Sequence, residues 1–315
     1  MTQPNTEPPT VLSSQPQAPP FGRLITAMVT PFRPDGSLDA EAAARLATFL
    51  VDVQGNDSLV INGTTGESPT TSDAEKSDLL RAVVDAVGDR ARVLAGVGTN
   101  DTTSTIRLAR DAAKAGAHGL LVVTPYYNKP PQSGLLRHFT AVADAAELPV
   151  MLYDIPHRSV VPIATETLVR LAEHERIVAV KDAKGDLAAT SWVLRRSDLA
   201  MYSGDDVMTL PGLAIGCVGV VGTSTHLCGR PTKQLIEAFL AGRVAEATDL
   251  HQRLLPLHTG IFRTQGPILV KAAMNALGLA AGPVRSPLVD ATAAEYDQLR
   301  DDCAAAGIDL PEAAA

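Results

Sequence analysis

The chain has 315 residues, 45% hydrophobic and 20% charged. That is enough apolar material for a large buried core, and it excludes a disordered or fibrous chain. Its 27 Lys and Arg face 35 Asp and Glu, a net charge of −8, so nothing general attracts it to nucleic acid or to an anionic membrane, and an anionic small molecule would need a locally positive site.

Residues 1–22 contain six prolines among Gln, Ser and Thr and are expected to form a disordered tail, not a signal peptide. From Arg23 onward, short runs rich in Val, Ile and Leu recur: Ile25–Val29, Ser58–Asn62, Arg92–Val97, Gly119–Thr124, Pro149–Asp154, Ile177–Lys181, Ala200–Ser203 and Cys217–Gly222. They lack strict alternation, which is the pattern of strands buried on both faces of a parallel sheet. Helical spacing predicts helices over Asp39–Val53, Ser72–Val87, Thr102–Ala115 and Ser133–Ala146. Ser72 with Glu75 forms a capping box, and Gly88 and Gly116 follow two of the helix ends. Residues 207–229 carry no Asp, Glu, Lys or Arg, but they contain Pro211 and five glycines; they read as turn, buried strand and turn, not as a membrane span.

Eight such units over roughly 200 residues predict an α/β protein, a closed (β/α)8 TIM barrel over residues 23–230. A doubly wound open sheet would need a glycine phosphate loop after the first strand, and ITAMVTPFRPDG at 25–36 is not one. Four more helices, Thr232–Gly242, Ala245–Phe262, Ile268–Leu277 and Thr292–Ala306, make residues 231–315 the last barrel helix and a C-terminal helical extension. Three sparse cysteines, Cys217, Cys228 and Cys303, form no disulfide framework and no CxxC pair, which suits a reducing, cytoplasmic setting. No HExxH occurs, the seven histidines show no metal spacing, and Gly96-Val97-Gly98 lacks the third glycine of a dinucleotide loop, so the motifs of a metal or an organic cofactor are missing.

Active sites of such barrels lie at the C-terminal ends of the strands. Strand two ends in GTTGES (63–68), strand four in TPYY (124–127), strand five in YDIPHR (153–158), strand six in VKD (180–182) and strand seven in SGDD (203–206). Lys181 stands out, one of seven lysines against twenty arginines, at the end of an uncharged apolar run. Desolvation there disfavours an ammonium and leaves a free amine, a nucleophile toward carbonyls; the alternative is a lysine paired with Asp182 or Asp205. Tyr153 ends the preceding strand, 28 residues earlier. Its phenol suits the proton transfers of carbinolamine chemistry, or it is a core tyrosine. Thr64 and Thr65 between Gly63 and Gly66 suit a small carboxylate, the glycines letting N–H groups converge, or they form a plain turn. Arg158 offers a bidentate fork to a second carboxylate, or a surface salt bridge. Trp192, alone of its kind, reads as packing.

GTTGES at 63–68, YDIPHRS at 153–159 and VAVKDA at 178–183, with TPYYNKPPQSGL at 124–135 and SGDD at 203–206, resemble the dihydrodipicolinate synthase and N-acetylneuraminate lyase family of class I aldolases over about residues 24–310. GTTGE together with Arg158 and the pair Tyr126-Tyr127 resembles its synthase branch. The resemblance implies that Lys181 forms a Schiff base with pyruvate and that Tyr153 shuttles protons in a relay with Thr64 and with Tyr127, the latter reaching in from a neighbouring subunit. It further implies that Thr65 holds the pyruvate carboxylate, that Arg158 holds the carboxylate of L-aspartate 4-semialdehyde, and that the Val221 carbonyl and Gly204 line the pocket. The implied product is 4-hydroxy-tetrahydrodipicolinate, on the route to lysine and diaminopimelate. The implied chemistry needs no cofactor, metal or organic, which matches the missing motifs. The implied assembly is a homotetramer, a dimer of dimers, with no nucleic acid or membrane partner. His157 departs from the family pattern, in which a small residue is common. Asn100 and Tyr126 match the lysine site of feedback-inhibited members, but Asp73, Lys76 and Ser104 do not, which predicts weak or absent feedback. Two other functions compete: a pyruvate-dependent aldolase for a 2-keto-3-deoxy sugar acid, and a ligand sensor without turnover.

Overall fold

A computed structural model describes residues 19–312. Eight parallel strands form a closed barrel in chain order: β1 Leu24–Ala27, β2 Ser58–Ile61, β3 Arg92–Gly96, β4 Gly119–Val123, β5 Val150–Asp154, β6 Ile177–Asp182, β7 Ala200–Ser203 and β8 Gly219–Gly222, with β8 pairing back onto β1. The absence of alternation in the sequence has a direct cause: successive residues of each strand feed two cores. Ile25, Val60, Leu94, Met151 and Ala179 fill the barrel interior, while Leu59, Val93, Leu152 and Val180 pack outward against the helices.

Between the strands run α1 Ala40–Thr48, α2 Asp73–Val87, α3 Thr102–Lys114, α4 Gln132–Ala145, the one-turn α5 Pro156–Ser159, α6 Thr165–Leu171, α7 Leu187–Arg196 and α8 Thr209–Ala214. After β8 follow α9 Thr225–Leu240 and then α10 Val244–Gly260, α11 Gly266–Ala276 and α12 Ala293–Ala305. The capping box at the start of α2 is complete, each of Ser72 and Glu75 bonding the other's backbone N–H. Glu75 also meets Arg285, which bonds the Gly36 carbonyl as well. That guanidinium holds the Glu75 carboxyl down at about 2.

Several expectations need correction. The final barrel helix begins at Thr225, not Thr232, and bends at Cys228 (φ −118°, ψ 29°). Pro231 lacks an N–H and stops a regular helix, which made the sequence break there; the chain instead absorbs the irregularity three residues earlier. Residues 207–229 therefore run as helix, strand and helix rather than turn, strand and turn. Among the described residues no helix is long and apolar enough to cross a membrane. Residues 1–18 of the expected tail lie outside the described residues, but Phe21 is not tail. It is 1% exposed and belongs to the interior cluster. Ser58 Oγ donates to its carbonyl at 2.5 Å, and a Cβ on Gly119 would stand 2.6 Å from its ring. A barrel whose strands begin there needs an apolar plug, and Phe21 supplies it. Trp192 is 56% exposed beside Arg196 on α7, so it does not serve as core.

Candidate active site

The cavity at the C-terminal ends of the strands has a volume of about 410 Å³. Thr64 from the loop after β2, Tyr126 and Tyr127 from the loop after β4, Tyr153 from β5 and Arg158 from α5 all line it. Sequence positions 64 to 158 thus converge because each follows the C-terminal end of its own strand. Of the six non-glycine residues with positive φ among those described, Asn62 (64°), Tyr127 (73°) and Val160 (70°) line this same cavity. Left-handed backbone at residues with a Cβ costs energy, and its concentration here marks a functional region.

Lys181 is not itself among the lining residues; it meets the cavity through Tyr153. The two are register partners on β6 and β5, and the Lys181 Nζ stands 4.2 Å from the centroid of the Tyr153 ring. Lys181 is 5% exposed. The expected alternative, an ion pair with Asp182 or Asp205, is absent because the neighbouring carboxylates have other partners. Asp182 accepts from Thr190 Oγ1 at 2.5 Å and from the Lys184 N–H at 3.0 Å. Asp205 accepts from the Val207 N–H. Asp154 pairs with Lys184 at 3.0 Å; burial nevertheless pushes its carboxyl up to about 6. Among the described residues Lys181 is left with an aromatic face and no carboxylate.

Gly204 is close against this lysine. A Cβ there would come within 3.0 Å of Lys181 Cγ and 2.9 Å of Ala183 Cβ, so any side chain at 204 would press on the amine's stem. Val221 sits on β8 in the interior cluster that also holds Tyr153. Thr65 is buried, with Oγ1 3.2 Å from Thr223 Oγ1. Within the GTTG turn the N–H groups of Gly66 and Ser68 donate to the Gly63 carbonyl, and that of Glu67 to the Thr64 carbonyl. These three N–H groups close the turn, whereas those of Thr64 and Thr65 take no part in it. Tyr127 is 86% exposed at the rim, and among the described residues no hydrogen bond links the hydroxyls of Thr64, Tyr127 and Tyr153. A relay through these three groups is not closed within one copy of the chain. His157 lies beside Arg158 in α5 but is not a lining residue of the cavity.

Residues 20–306 match the sequence profile of the dihydrodipicolinate synthetase family. The chain belongs to that family. It is similar to the 4-hydroxy-tetrahydrodipicolinate synthase of Acidothermus cellulolyticus, 69% identical over 288 residues that cover 91% of this chain and 93% of the relative. It is also similar to 4-hydroxy-tetrahydrodipicolinate synthase 2 of Streptomyces coelicolor, 63% identical over 298 residues, covering 95% and 99%. Among solved structures, that of the dihydrodipicolinate synthase of Cyanidioschyzon merolae with lysine bound superposes with a TM-score of 0.89 at 44% identity, covering 91% of this chain and 99% of the other.

Two residues that contact the predicted site residues were not singled out from the strand ends. Gln265, just before α11, accepts from Arg158 Nη2 at 2.7 Å. It lies 107 positions from its partner, and no local pattern links them. Thr223 follows β8 directly and was open to the same strand-end rule that found the others. Its N–H donates to Asp206 Oδ2 at 3.1 Å, and the neighbouring Ser224 Oγ donates to Oδ1 of the same carboxylate at 2.7 Å. Asp206 thereby fixes the hydroxyl that meets Thr65.

Proposed function

We propose that the chain condenses pyruvate with L-aspartate 4-semialdehyde to give 4-hydroxy-tetrahydrodipicolinate, through a Schiff base on Lys181. The observation that carries this reading is the buried amine of Lys181 lying over Tyr153 with no carboxylate partner, below a cavity lined by Arg158, in a family whose members at 69% and 63% identity bear that activity's name.

Only a neutral amine adds to a carbonyl. Lys181 adds to the keto carbon of pyruvate, Tyr153 supplies and removes the protons as water leaves, and the iminium forms. The Thr65 hydroxyl holds the pyruvate carboxylate, and the Val221 carbonyl and Gly204 border the adduct. Loss of a methyl proton gives the enamine, whose carbon attacks the aldehyde held by Arg158. The amine of the second substrate then adds to the iminium carbon and displaces Lys181, closing the ring and freeing the enzyme. The iminium is itself the electron sink, so the chemistry needs no metal or organic cofactor. Thr64 and Tyr127 complete the proton relay with Tyr153, Tyr127 being contributed by a second copy. That contribution requires a dimer, and the homotetramer, a pair of such dimers, is the assembly that the family resemblance implies. The exposed position and strained backbone of Tyr127 support that role. The reading places the enzyme in the cytoplasm, in keeping with three buried free cysteines.

The test is incubation with pyruvate followed by borohydride: a mass increase localised to Lys181 is expected, and its absence removes the Schiff base. Pyruvate consumption against a panel of aldehydes then separates the semialdehyde reaction from cleavage of a 2-keto-3-deoxy sugar acid. Arg158→Ala sharpens the distinction. Loss of a charged hydrogen-bonding partner should raise KM for aspartate semialdehyde about 10- to 100-fold while pyruvate trapping is unaffected. Equal KM values for the variant and its parent would favour a polyol aldehyde instead.

Lysine feedback should be weak or absent. Asp73 is engaged by Arg107 at 2.6 Å, and the Lys76 ammonium, bonded to the Thr71 carbonyl at 2.5 Å, adds a like charge where an incoming lysine would bind. Initial rates are expected to be unchanged by lysine well below millimolar concentration; half-inhibition in that range would overturn the assignment.

A further inference from the structure

Glu67 closes the GTTGE turn at φ 55°, and its carboxylate is withdrawn from water. Lys271 of α11 brings its Nζ within 2.6 Å of Glu67 Oε1, both side chains being 2% exposed. The same Nζ donates to the Pro283 carbonyl at 2.7 Å and lies 4.2 Å from the centroid of the Phe32 ring. The backbone N–H of Arg285 donates to the other carboxylate oxygen at 2.8 Å. A fully buried ion pair is poor value as a source of stability, since well-packed apolar residues do as well. Its presence beneath this particular loop therefore needs another reason.

The loop supplies one. The Glu67 N–H donates to the Thr64 carbonyl at 3.1 Å, so the charged clamp is a single bond away from a residue that lines the cavity. On the opposite side Thr30 Oγ1 donates to the Gly66 carbonyl at 2.6 Å, and a Cβ on Gly66 would stand 3.0 Å from the Met28 carbonyl. The turn is gripped between β1's exit and the C-terminal extension, with the Thr65 hydroxyl turned to Thr223.

We propose that Lys271 is a positioning residue for the pyruvate step: with Glu67 it fixes the β2 loop so that Thr64 and Thr65 keep their places, making the C-terminal extension part of the working site. The inference rests on the pyruvate-binding reading given above. Small displacements of positioned groups cost rate steeply, so the effect belongs to pyruvate kinetics and not to the second substrate.

The experiment uses the double variant Glu67→Gln/Lys271→Met, which removes both charges without leaving one buried alone. The variant is expected to fold, to raise KM for pyruvate and slow borohydride-trapped adduct formation about tenfold or more, and to leave KM for aspartate semialdehyde within about threefold. Lys271→Arg, which keeps the cation, is expected to recover part of the pyruvate KM. Pyruvate KM and trapping rate within twofold of the parent in the double variant would overturn the proposal. If the double variant does not fold, Glu67→Gln decides alone, since Lys271 keeps the Pro283 carbonyl and the Phe32 ring, and an unchanged pyruvate KM and trapping rate overturn the proposal. A parent protein that forms no adduct sinks the Schiff-base reading and this inference together. Adduct formation equal in parent and variants sinks this one alone.

Discussion

Lys181→Arg is expected to abolish the borohydride-trapped pyruvate adduct and to lower kcat by about 10⁴-fold or more, the scale seen when a covalent nucleophile is removed. The substitution keeps a nitrogen-bearing side chain of similar reach, so it separates nucleophilicity from bulk. Guanidinium does not deprotonate in proteins, and a group that never presents a neutral nitrogen lone pair cannot form the carbinolamine. Gly204 makes the site strict as well: it already lies against the lysine stem, leaving little room for a planar head to find another pose. Mass spectrometry of the trapped protein and steady-state turnover check the result together, with circular dichroism verifying the fold. Turnover within tenfold of the parent would mean that Lys181 is not the nucleophile.

Tyr153→Phe is expected to lower kcat by about 10²- to 10⁴-fold, the usual worth of a positioned general acid–base group, while still allowing a slowly formed adduct on Lys181. Phenylalanine keeps the ring beneath the Lys181 amine, where the parent holds the Nζ 4.2 Å from the centroid. The variant thus deletes only the hydroxyl. Among the described residues that hydroxyl makes no hydrogen bond within the chain, so its loss leaves no buried partner unsatisfied and the unfolding midpoint should not move. Single-turnover trapping separates this variant from Lys181→Arg: slow labelling for tyrosine, none for lysine. A kcat within about fivefold of the parent would remove Tyr153 from the proton path.

The barrel was legible in the sequence because burial on both faces leaves a simple trace. Strands such as Leu120–Val123 and Val150–Leu152 are apolar at every position, and glycines and caps such as Ser72 mark where helices begin and end. The strand ends then pointed to Thr64, Tyr126, Tyr127, Tyr153 and Arg158, which line one cavity, and to Lys181 against Tyr153. A parallel barrel brings all its strand C-termini to one face, so position along the strand is nearly position in the site. Phe21 was missed because a single apolar residue after a proline-rich stretch has no period to betray it, and the bend at Cys228 because proline signals a break without saying where the chain will place it.

What local sequence determined was therefore which residues reach the catalytic face: periodicity and capping act over a few positions and repeat with each strand. Tertiary structure alone decided which partner each charged group takes. Lys184 rather than Lys181 engages Asp154, Gln265 holds Arg158, and Lys271 reaches Glu67 from 204 residues downstream. Such pairings depend on where folded segments meet and on which charges are denied water there, and neither distance nor desolvation exists until the chain has closed.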